Sequence, residues 1–215
     1  MPVVLEACDL TRKFDQYLAL APLNLTLNSG EITVLTGPNG AGKSTLLLCL
    51  SGLLAPSGGV VRVEGLDLQR NEREAHRRLA FVPDVPRFYS ELSVVEHLRF
   101  IALAHDAMDG FDARSKALLG EFGLWEARDL FPHNTSRGMR LKLGLLLAFI
   151  RPFRALLLDE PTSALDAQST MVLADHLSRL RSEGAAILLT THNPELAQDL
   201  ANRTLVLQNG ALESA

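Results

Sequence analysis

Apolar residues along this chain come in short runs separated by glycine, proline and polar clusters. Residues 3–10 and the alternating run Leu23-Asn24-Leu25-Thr26-Leu27 predict two strands, closed by a turn signal at Asn28-Ser29-Gly30, so the chain opens as a small antiparallel sheet. The β-branched run Ile32-Thr33-Val34-Leu35-Thr36 predicts a third strand, and Leu46-Leu47-Leu48-Cys49-Leu50 predicts a helix. Pro56-Ser57-Gly58-Gly59 breaks the chain before a strand at Val60-Val61-Arg62-Val63, and the alternating charges of residues 70–78 read as a solvated helix face. Leu79-Ala80-Phe81-Val82 is a further strand, ended by Pro83-Asp84-Val85-Pro86, where the prolines forbid both helix and ladder.

Beyond that point the period changes from strand to helix. Ser93 and Glu96 form a capping box for a helix with Val94, Val95, Leu98, Ile101 and Ala102 on one side, and residues 113–122 give a second helical pattern. Residues 141–150 are almost entirely apolar, so a helix there is buried along its body. Only its first turn, opened by Asn134-Thr135-Ser136-Arg137-Gly138-Met139-Arg140, is left to meet a ligand. Residues 85–150 therefore form an all-helical insert between strands of the main core. The run Ala155-Leu156-Leu157-Leu158 predicts a buried parallel strand that ends in Asp159-Glu160-Pro161. Ser163-Ala164-Leu165-Asp166 turns into a helix over residues 169–181, and Ala186-Ile187-Leu188-Leu189-Thr190-Thr191 is a last buried strand with His192 at its tip. Asn193 and Pro194 start the final helix.

The strand, glycine-rich loop and helix formed by residues 32–50 give the chemistry its centre. Gly37-Pro38-Asn39-Gly40-Ala41-Gly42-Lys43-Ser44-Thr45 has the spacing of a loop that aims backbone N–H groups at phosphate, backed by the positive end of the helix dipole. Lys43 then reaches the β- and γ-phosphates and the Ser44 hydroxyl coordinates magnesium, which predicts binding of a nucleoside triphosphate. At the carboxyl edge of the next core strand, Asp159 is placed to hold the magnesium opposite Ser44, and Glu160 to orient or deprotonate an attacking water. His192 falls at the same edge, either as a γ-phosphate contact or as a structural histidine. Arg137, Arg140 and Lys142 are cations at a helix N-terminus, where the macrodipole disfavours them, an arrangement that makes sense if an anion arrives there. Phe14 and Tyr17 lie between the first two strands, where a ring either stacks on adenine or joins a local hydrophobic cluster.

Composition excludes more than it selects. A 215-residue chain that is 47% hydrophobic and 21% charged buries a real core as one unit. A net charge of -4 argues against an extended basic face for nucleic acid. The N-terminus lacks a basic region before an apolar core, so no secretory signal is expected, and no apolar run is long enough to span a bilayer. Cys8 and Cys49 have no metal-ligand spacing and read as small hydrophobes in a reducing compartment.

In this order, residues 37–45, Asp84, Ser136-Arg137-Gly138-Met139, Asp159-Glu160, Ser163-Ala164-Leu165-Asp166 and His192 resemble the nucleotide-binding subunit of ATP-binding cassette (ABC) transporters. The resemblance covers essentially the whole chain. It implies an α/β fold: a P-loop NTPase core with a mainly parallel sheet, a small N-terminal antiparallel β subdomain and an inserted α-helical subdomain. The whole would be one domain over residues 1–215, with residues 1–84 and 151–215 as nucleotide-binding core and β subdomain, and residues 85–150 as the helical subdomain that carries the signature. It further implies a head-to-tail pair of subunits with two ATP molecules between them. Each ATP would be held with Mg2+ by the residue 37–45 loop of one subunit and by Ser136, Arg137, Gly138 and Met139 of the other.

By the same resemblance Phe14 is the adenine-stacking aromatic, His192 the switch histidine, Glu160 the general base, and Asp166 part of the shared site. The chain departs from the family pattern in two motifs. Asp84 stands where glutamine is usual, at the junction that senses γ-phosphate; it is expected to bind magnesium directly or through water. Thr135-Ser136-Arg137-Gly138-Met139 replaces the commoner Leu-Ser-Gly-Gly-Gln but keeps Ser136 and Gly138. The implied function is an ATPase subunit at the cytoplasmic face of a membrane, driving a separate permease through residues 84–92, with Phe88, Tyr89 and Leu92 as contacts or as ordinary core. Export fits the signature and the short tail after His192 better than import. A homodimer suffices, since each chain has a full motif set, and a heterodimer is the variant. The competing readings are a soluble ATPase that remodels nucleic acid or ribosomes and a small-molecule kinase with an arginine lid.

Overall fold

The first two strands, β1 (Val3–Phe14) and β2 (Tyr17–Asn28), form one long antiparallel hairpin. Both run well past the apolar alternation that predicts them, because the ladder continues to the tip through the polar Thr11, Arg12 and Lys13 until Phe14 pairs with Tyr17. Backbone hydrogen bonding carries a strand beyond the point where burial stops marking it in sequence. The computed structural model describes residues 1–213, so Ser214 and Ala215, the last positions of the expected domain, lie outside the described residues. The hairpin is joined by β4 (Gly58–Val63) and β5 (Leu66–Asp67) in an antiparallel sheet of order β2-β1-β4-β5.

A second sheet carries the core. Its order is β10-β9-β3-β8-β7-β6, with β3 (Ile32–Thr36) at the centre between β9 (Arg203–Gln208) and β8 (Ala186–Thr190), and with β7 (Ala155–Leu158) beyond β8. β3 is parallel to both neighbours and β7 is parallel to β8; only β10 (Ala211–Glu213) is seen to pair antiparallel, with β9. The remaining edge strand is β6 (Leu79–Val82). Every residue of β7 and β8 is buried, as expected for parallel strands covered on both faces. Leu35, Leu46, Leu47, Leu50, Leu157, Leu188 and Leu207 meet in one cluster with Leu5, Leu10 and Leu20 of the hairpin. Fully burying each such leucine contributes about 1.5–3 kcal/mol.

The chain divides into two compact units. The first comprises Met1–Phe81, Phe153–Glu160 and Leu177 onward. It holds both sheets, α1 (Lys43–Leu50), α2 (Glu72–Arg77) and α7 (Pro194–Leu200), with the C-terminal end of α6 (Ala167–Ser182). The second comprises Val82–Pro152 and Pro161–His176. It is helical: α3 (Val94–Ala104), α4 (Phe111–Glu121), α5 (Arg137–Phe149) and the beginning of α6. The capping box on α3 forms as its sequence requires, Glu96 N–H donating to Ser93 Oγ and Ser93 N–H to the Glu96 carboxylate at 2.7 Å. One buried polar side chain there escapes the pattern: His97, which takes its Nδ1 to the Ser93 carbonyl at 2.8 Å and accepts the Tyr89 N–H at Nε2. Tyr89, 58% exposed, and Phe100 pack edge to face beside it.

Cys49 of α1 is buried in the first unit, and that burial pushes its thiol up to about 11 from 9.0, with the nearby Arg12 charge only partly opposing the shift. A thiol held neutral by the fold stabilises it below the unfolded value. That contribution is lost as pH rises from 9.0 through about 11. Equilibrium unfolding across that range should therefore show a downward step in stability that Cys49→Ala lacks. Labelling of the native protein at pH 8 with a thiol reagent should reach the half-buried Cys8 before Cys49.

Candidate nucleotide-binding site

Register decides which residues share the edge of the core sheet. Leu35 of β3 pairs with Thr190 of β8, and Leu158 of β7 pairs with Leu189. The three strands consequently end level, and the residues that follow them, Gly37, Asp159 and the segment up to His192, come to one carboxyl edge, where ligands bind in open α/β sheets.

At the end of β3 the chain turns through Gly37 at φ 144, where a Cβ would lie 2.1 Å from the Leu207 carbonyl oxygen. Only glycine fits that combination of backbone angle and close approach. Pro38, Asn39 and Gly40 are exposed and Ala41 is buried beneath them. Gly42, in a left-handed conformation, begins α1 with no side-chain cap, so the first-turn N–H groups keep their donors for a ligand. Lys43 Nζ donates back to the Gly37 and Pro38 carbonyls at 2.8 and 3.1 Å, which holds the ammonium over the loop. Ser44 is exposed and Thr45 half-buried behind it. Phe14 is at the tip of the β1–β2 hairpin, 41% exposed, with the Arg12 guanidinium 4.4 Å over one face of its ring and Arg12 Nη1 anchored on the Ala55 carbonyl.

Asp159 and Glu160 follow β7. Glu160 has φ 48, a left-handed conformation that a non-glycine residue adopts at a cost of about 1–3 kcal/mol. Two bonds offset it: Glu160 N–H donates to Thr190 Oγ1 at 2.9 Å, and His192 N–H donates to Glu160 Oε2 at 3.1 Å. A typical intramolecular hydrogen bond contributes about 0.5–1.5 kcal/mol net, so the pair together is of the size of that strain. Thr190 in turn donates its hydroxyl proton to Asp159 Oδ1 at 2.8 Å. This fully buried threonine links both acids, and it is the site residue that motif reading passes over. Its only signal in the sequence is a hydroxyl in an otherwise apolar strand, Ala186-Ile187-Leu188-Leu189-Thr190. Glu160 Oε1 is buried and makes no hydrogen bond, while the exposed His192 ring stands with Nε2 3.4 Å away. A carboxylate oxygen so placed is open to accept a proton from a water or a ligand.

The second unit holds the other group of expected residues. Ser136 caps α5, its Oγ accepting the Met139 N–H at 3.1 Å. Gly138 lies against the loop after Glu160: a Cβ there would come 2.7 Å from the Ala164 carbonyl oxygen, so a side chain is excluded. In that loop Asp166 accepts the Ser169 N–H at 2.7 Å at the start of α6. This bond holds its carboxyl below the usual range, with the Lys142 charge a smaller cause. The cations of the α5 turn, which the sequence leaves facing a missing anion, already have partners inside this unit. Arg137 is 3.8 Å from Asp84, Arg140 donates to the Thr135 carbonyl at 2.7 Å, and Lys142 acts on Asp166. Asp84 Oδ1 also accepts the Ser163 hydroxyl at 2.6 Å.

Among the described residues no group of three or more His, Cys, Asp and Glu side chains is arranged to hold a metal by itself. The donor set of the first unit, a serine hydroxyl and a buried carboxylate, instead fits a hard cation that keeps several waters and shares phosphate oxygens, as magnesium does. Among the described residues no helix is long and apolar enough to cross a membrane.

Comparison with known proteins agrees with this arrangement. A Streptomyces coelicolor protein described as an ABC transporter ATP-binding protein is 38% identical over 212 residues, 97% of this chain and 37% of that protein. The human phospholipid-transporting ATPase ABCA3 is 37% identical over 199 residues, 91% of this chain and 11% of that protein. This chain thus spans little more than a third of the first relative and about a ninth of the second. A solved structure of the ATP binding subunit of an ABC transporter superposes with a TM-score of 0.93 at 31% identity, covering 98% of this chain and 88% of that one. The ABC transporter family matches residues 20–163, more than half of the sequence, and the chain therefore belongs to that family.

Proposed function

We propose that this chain is the ATP-hydrolysing subunit of an ABC transporter and drives a separate membrane permease. The observation that carries the reading is the Glu160 carboxylate, held in a strained turn at the sheet edge by Thr190 and His192 with one buried oxygen free of hydrogen bonds. The loop Gly37-Pro38-Asn39-Gly40-Ala41-Gly42 wraps the phosphates with backbone N–H groups and the α1 dipole. Lys43 exchanges the Gly37 and Pro38 carbonyls for β- and γ-phosphate oxygens. Ser44 and Asp159 hold magnesium, with Thr45 behind them; the ion supplies charge neutralisation of the phosphates. Phe14 offers adenine the ring face opposite Arg12. Glu160 Oε1 takes the proton of the attacking water, and His192, already in reach of that oxygen, orders the γ-phosphate side.

The α5 turn belongs to the same reaction in a second copy of the chain. Ser136 and Gly138, backed by Arg137 and Met139, present N–H and hydroxyl groups to the ATP held on the partner's residue 37–45 loop, and Asp166 borders the same junction. One chain has both halves of the motif set, which supports a homodimer; a related subunit in the second position is the alternative. Residues 1–84 and 151–215 act as the nucleotide-binding core and β subdomain, and residues 85–150 as the helical part that transmits closure. Tyr89 and Phe100, exposed beside His97, support a permease contact around residues 84–92. The protein works at the cytoplasmic face of a membrane, in export, and has no role for nucleic acid.

Turnover, dimerisation and stability measurements test this. Glu160→Gln should lower ATP turnover by roughly 10²–10⁴-fold, the usual contribution of a general base, while retaining ATP affinity. With ATP and magnesium the same variant should shift from monomer to dimer by light scattering, and adding Ser136→Arg should abolish the shift. A monomer that still binds ATP tightly would overturn the shared-site reading. Thr190→Val should cost about 1–3 kcal/mol in urea unfolding, because it leaves the Glu160 N–H and Asp159 Oδ1 unpaired. Turnover in that variant should fall by about tenfold or more, equivalent to ~1.4 kcal/mol in the barrier; unchanged turnover would remove Thr190 from the site.

A further inference from the structure

Two of the positions at which this chain departs from the family pattern lie within ion-pair distance of each other. Asp84 stands where glutamine is usual, and Arg137 stands where the commoner signature has its first glycine. In the second unit the Asp84 Oδ1 lies 3.8 Å from Arg137 Nη2 and accepts the Ser163 hydroxyl at 2.6 Å. Pro83 and Pro86 fix their own φ and restrict Val82 and Val85, so the segment that carries Asp84 is stiff on both sides of it. Arg137 opens α5, where the helix dipole disfavours a cation; a carboxylate beside it offsets that charge. Glutamine at position 84 has no charge to do this, and glycine at position 137 would not need it.

We infer that Asp84 is a positioning residue that, through Arg137 and Ser163, ties the Ser136–Gly138 turn to the loop of residues 161–166, and that this is its role in place of coordinating magnesium. One further contact joins the same two segments: Gly138 sits against the Ala164 carbonyl, where a Cβ would come 2.7 Å from its oxygen. Asp84 touches both segments at once. An exposed ion pair by itself contributes little, and Arg137 and Asp84 are 64% and 40% exposed. The geometry comes from the short hydroxyl bond, which sets the position of the loop, while the Arg137 guanidinium lies beside the same carboxylate oxygen and draws it toward α5. The consequence is a preformed block: Ser136 and Gly138 meet a partner's ATP with the 161–166 loop already in place, so less order has to be gained on closure. The benefit to the dimer rests on the proposed function; the anchoring does not.

The experiment separates the two. Amide hydrogen exchange of the nucleotide-free protein reads the block directly. Asp84→Ala and Ser163→Ala should each speed exchange in residues 137–140 and 162–166 by roughly tenfold, with the double variant no faster than Asp84→Ala alone. Asp84→Asn, which keeps an acceptor for Ser163 and loses the charge, should fall between them and the parent. The magnesium concentration for half-maximal ATP binding, read with a fluorescent ATP analogue, should stay within about twofold in Asp84→Asn, since loss of even a group that supports a metal ligand weakens binding by about 10–100-fold. In the Glu160→Gln background, Asp84→Gln should weaken ATP-driven dimerisation, and Asp84→Gln with Arg137→Gly should restore it. Exchange unchanged in both Asp84→Ala and Ser163→Ala, or a magnesium requirement raised tenfold in Asp84→Asn, would overturn the inference. Faster exchange together with a protein that never dimerises would uphold the anchor and defeat the shared-site reading instead.

Discussion

The arrangement at the nucleotide edge depends on the level register of three buried parallel strands. β3, β7 and β8 pair so that Leu35 meets Thr190 and Leu158 meets Leu189, and none of the paired side chains is exposed. A slip of one residue would turn every side chain of a strand to the opposite face, at a cost of several buried leucines, so burial specifies the register strongly. The phosphate loop, the two acids and His192 inherit their places from that pairing. They need no contact with one another to be brought together.

On that rigid edge the local chemistry is set by a single hydroxyl. Thr190 donates to Asp159 and accepts from the Glu160 backbone, which keeps one acid pointed while holding the next in a left-handed turn. The strain at Glu160 is of the size of the bonds that oppose it, so the turn is stable but close to balance. A carboxylate oxygen left buried and unpaired at such a turn is costly for stability and useful for proton transfer, the usual conflict between fold and function at an active site.

One part of the helical unit, around the start of α5, follows a different logic. Its contacts there are polar and sit near the surface, joining a helix start to a loop through Asp84, Arg137, Ser163 and Gly138. Individually these interactions are weak; together they place the Ser136 turn and the 161–166 loop as one body. The first unit is organised by buried area, and this part of the second by matched charge and close backbone approach.

By itself the sequence determined most of the elements from the first hairpin to α7, the strand–loop–helix context of Gly37 to Thr45, the acids at the end of a buried strand, and the family, but not β9 and β10, which follow its last expected helix. These are local properties: glycine spacing, apolar runs and caps act within a few residues of themselves, as the α3 capping box shows. Tertiary structure alone decided the rest. The hairpin extends through Thr11, Arg12 and Lys13 because a partner strand is there to pair with, which no apolar pattern records. His97 is buried because Tyr89 and Ser93 fill both of its ring nitrogens. Arg137, Arg140 and Lys142 look like cations awaiting a ligand until the fold brings Asp84, the Thr135 carbonyl and Asp166 to them. Thr190 is one hydroxyl in a strand until β7 lies beside β8 and gives it two acids to join. A hydrogen bond or ion pair between residues tens of positions apart leaves no periodic trace in a single chain, so it becomes visible only when the register that creates it is known.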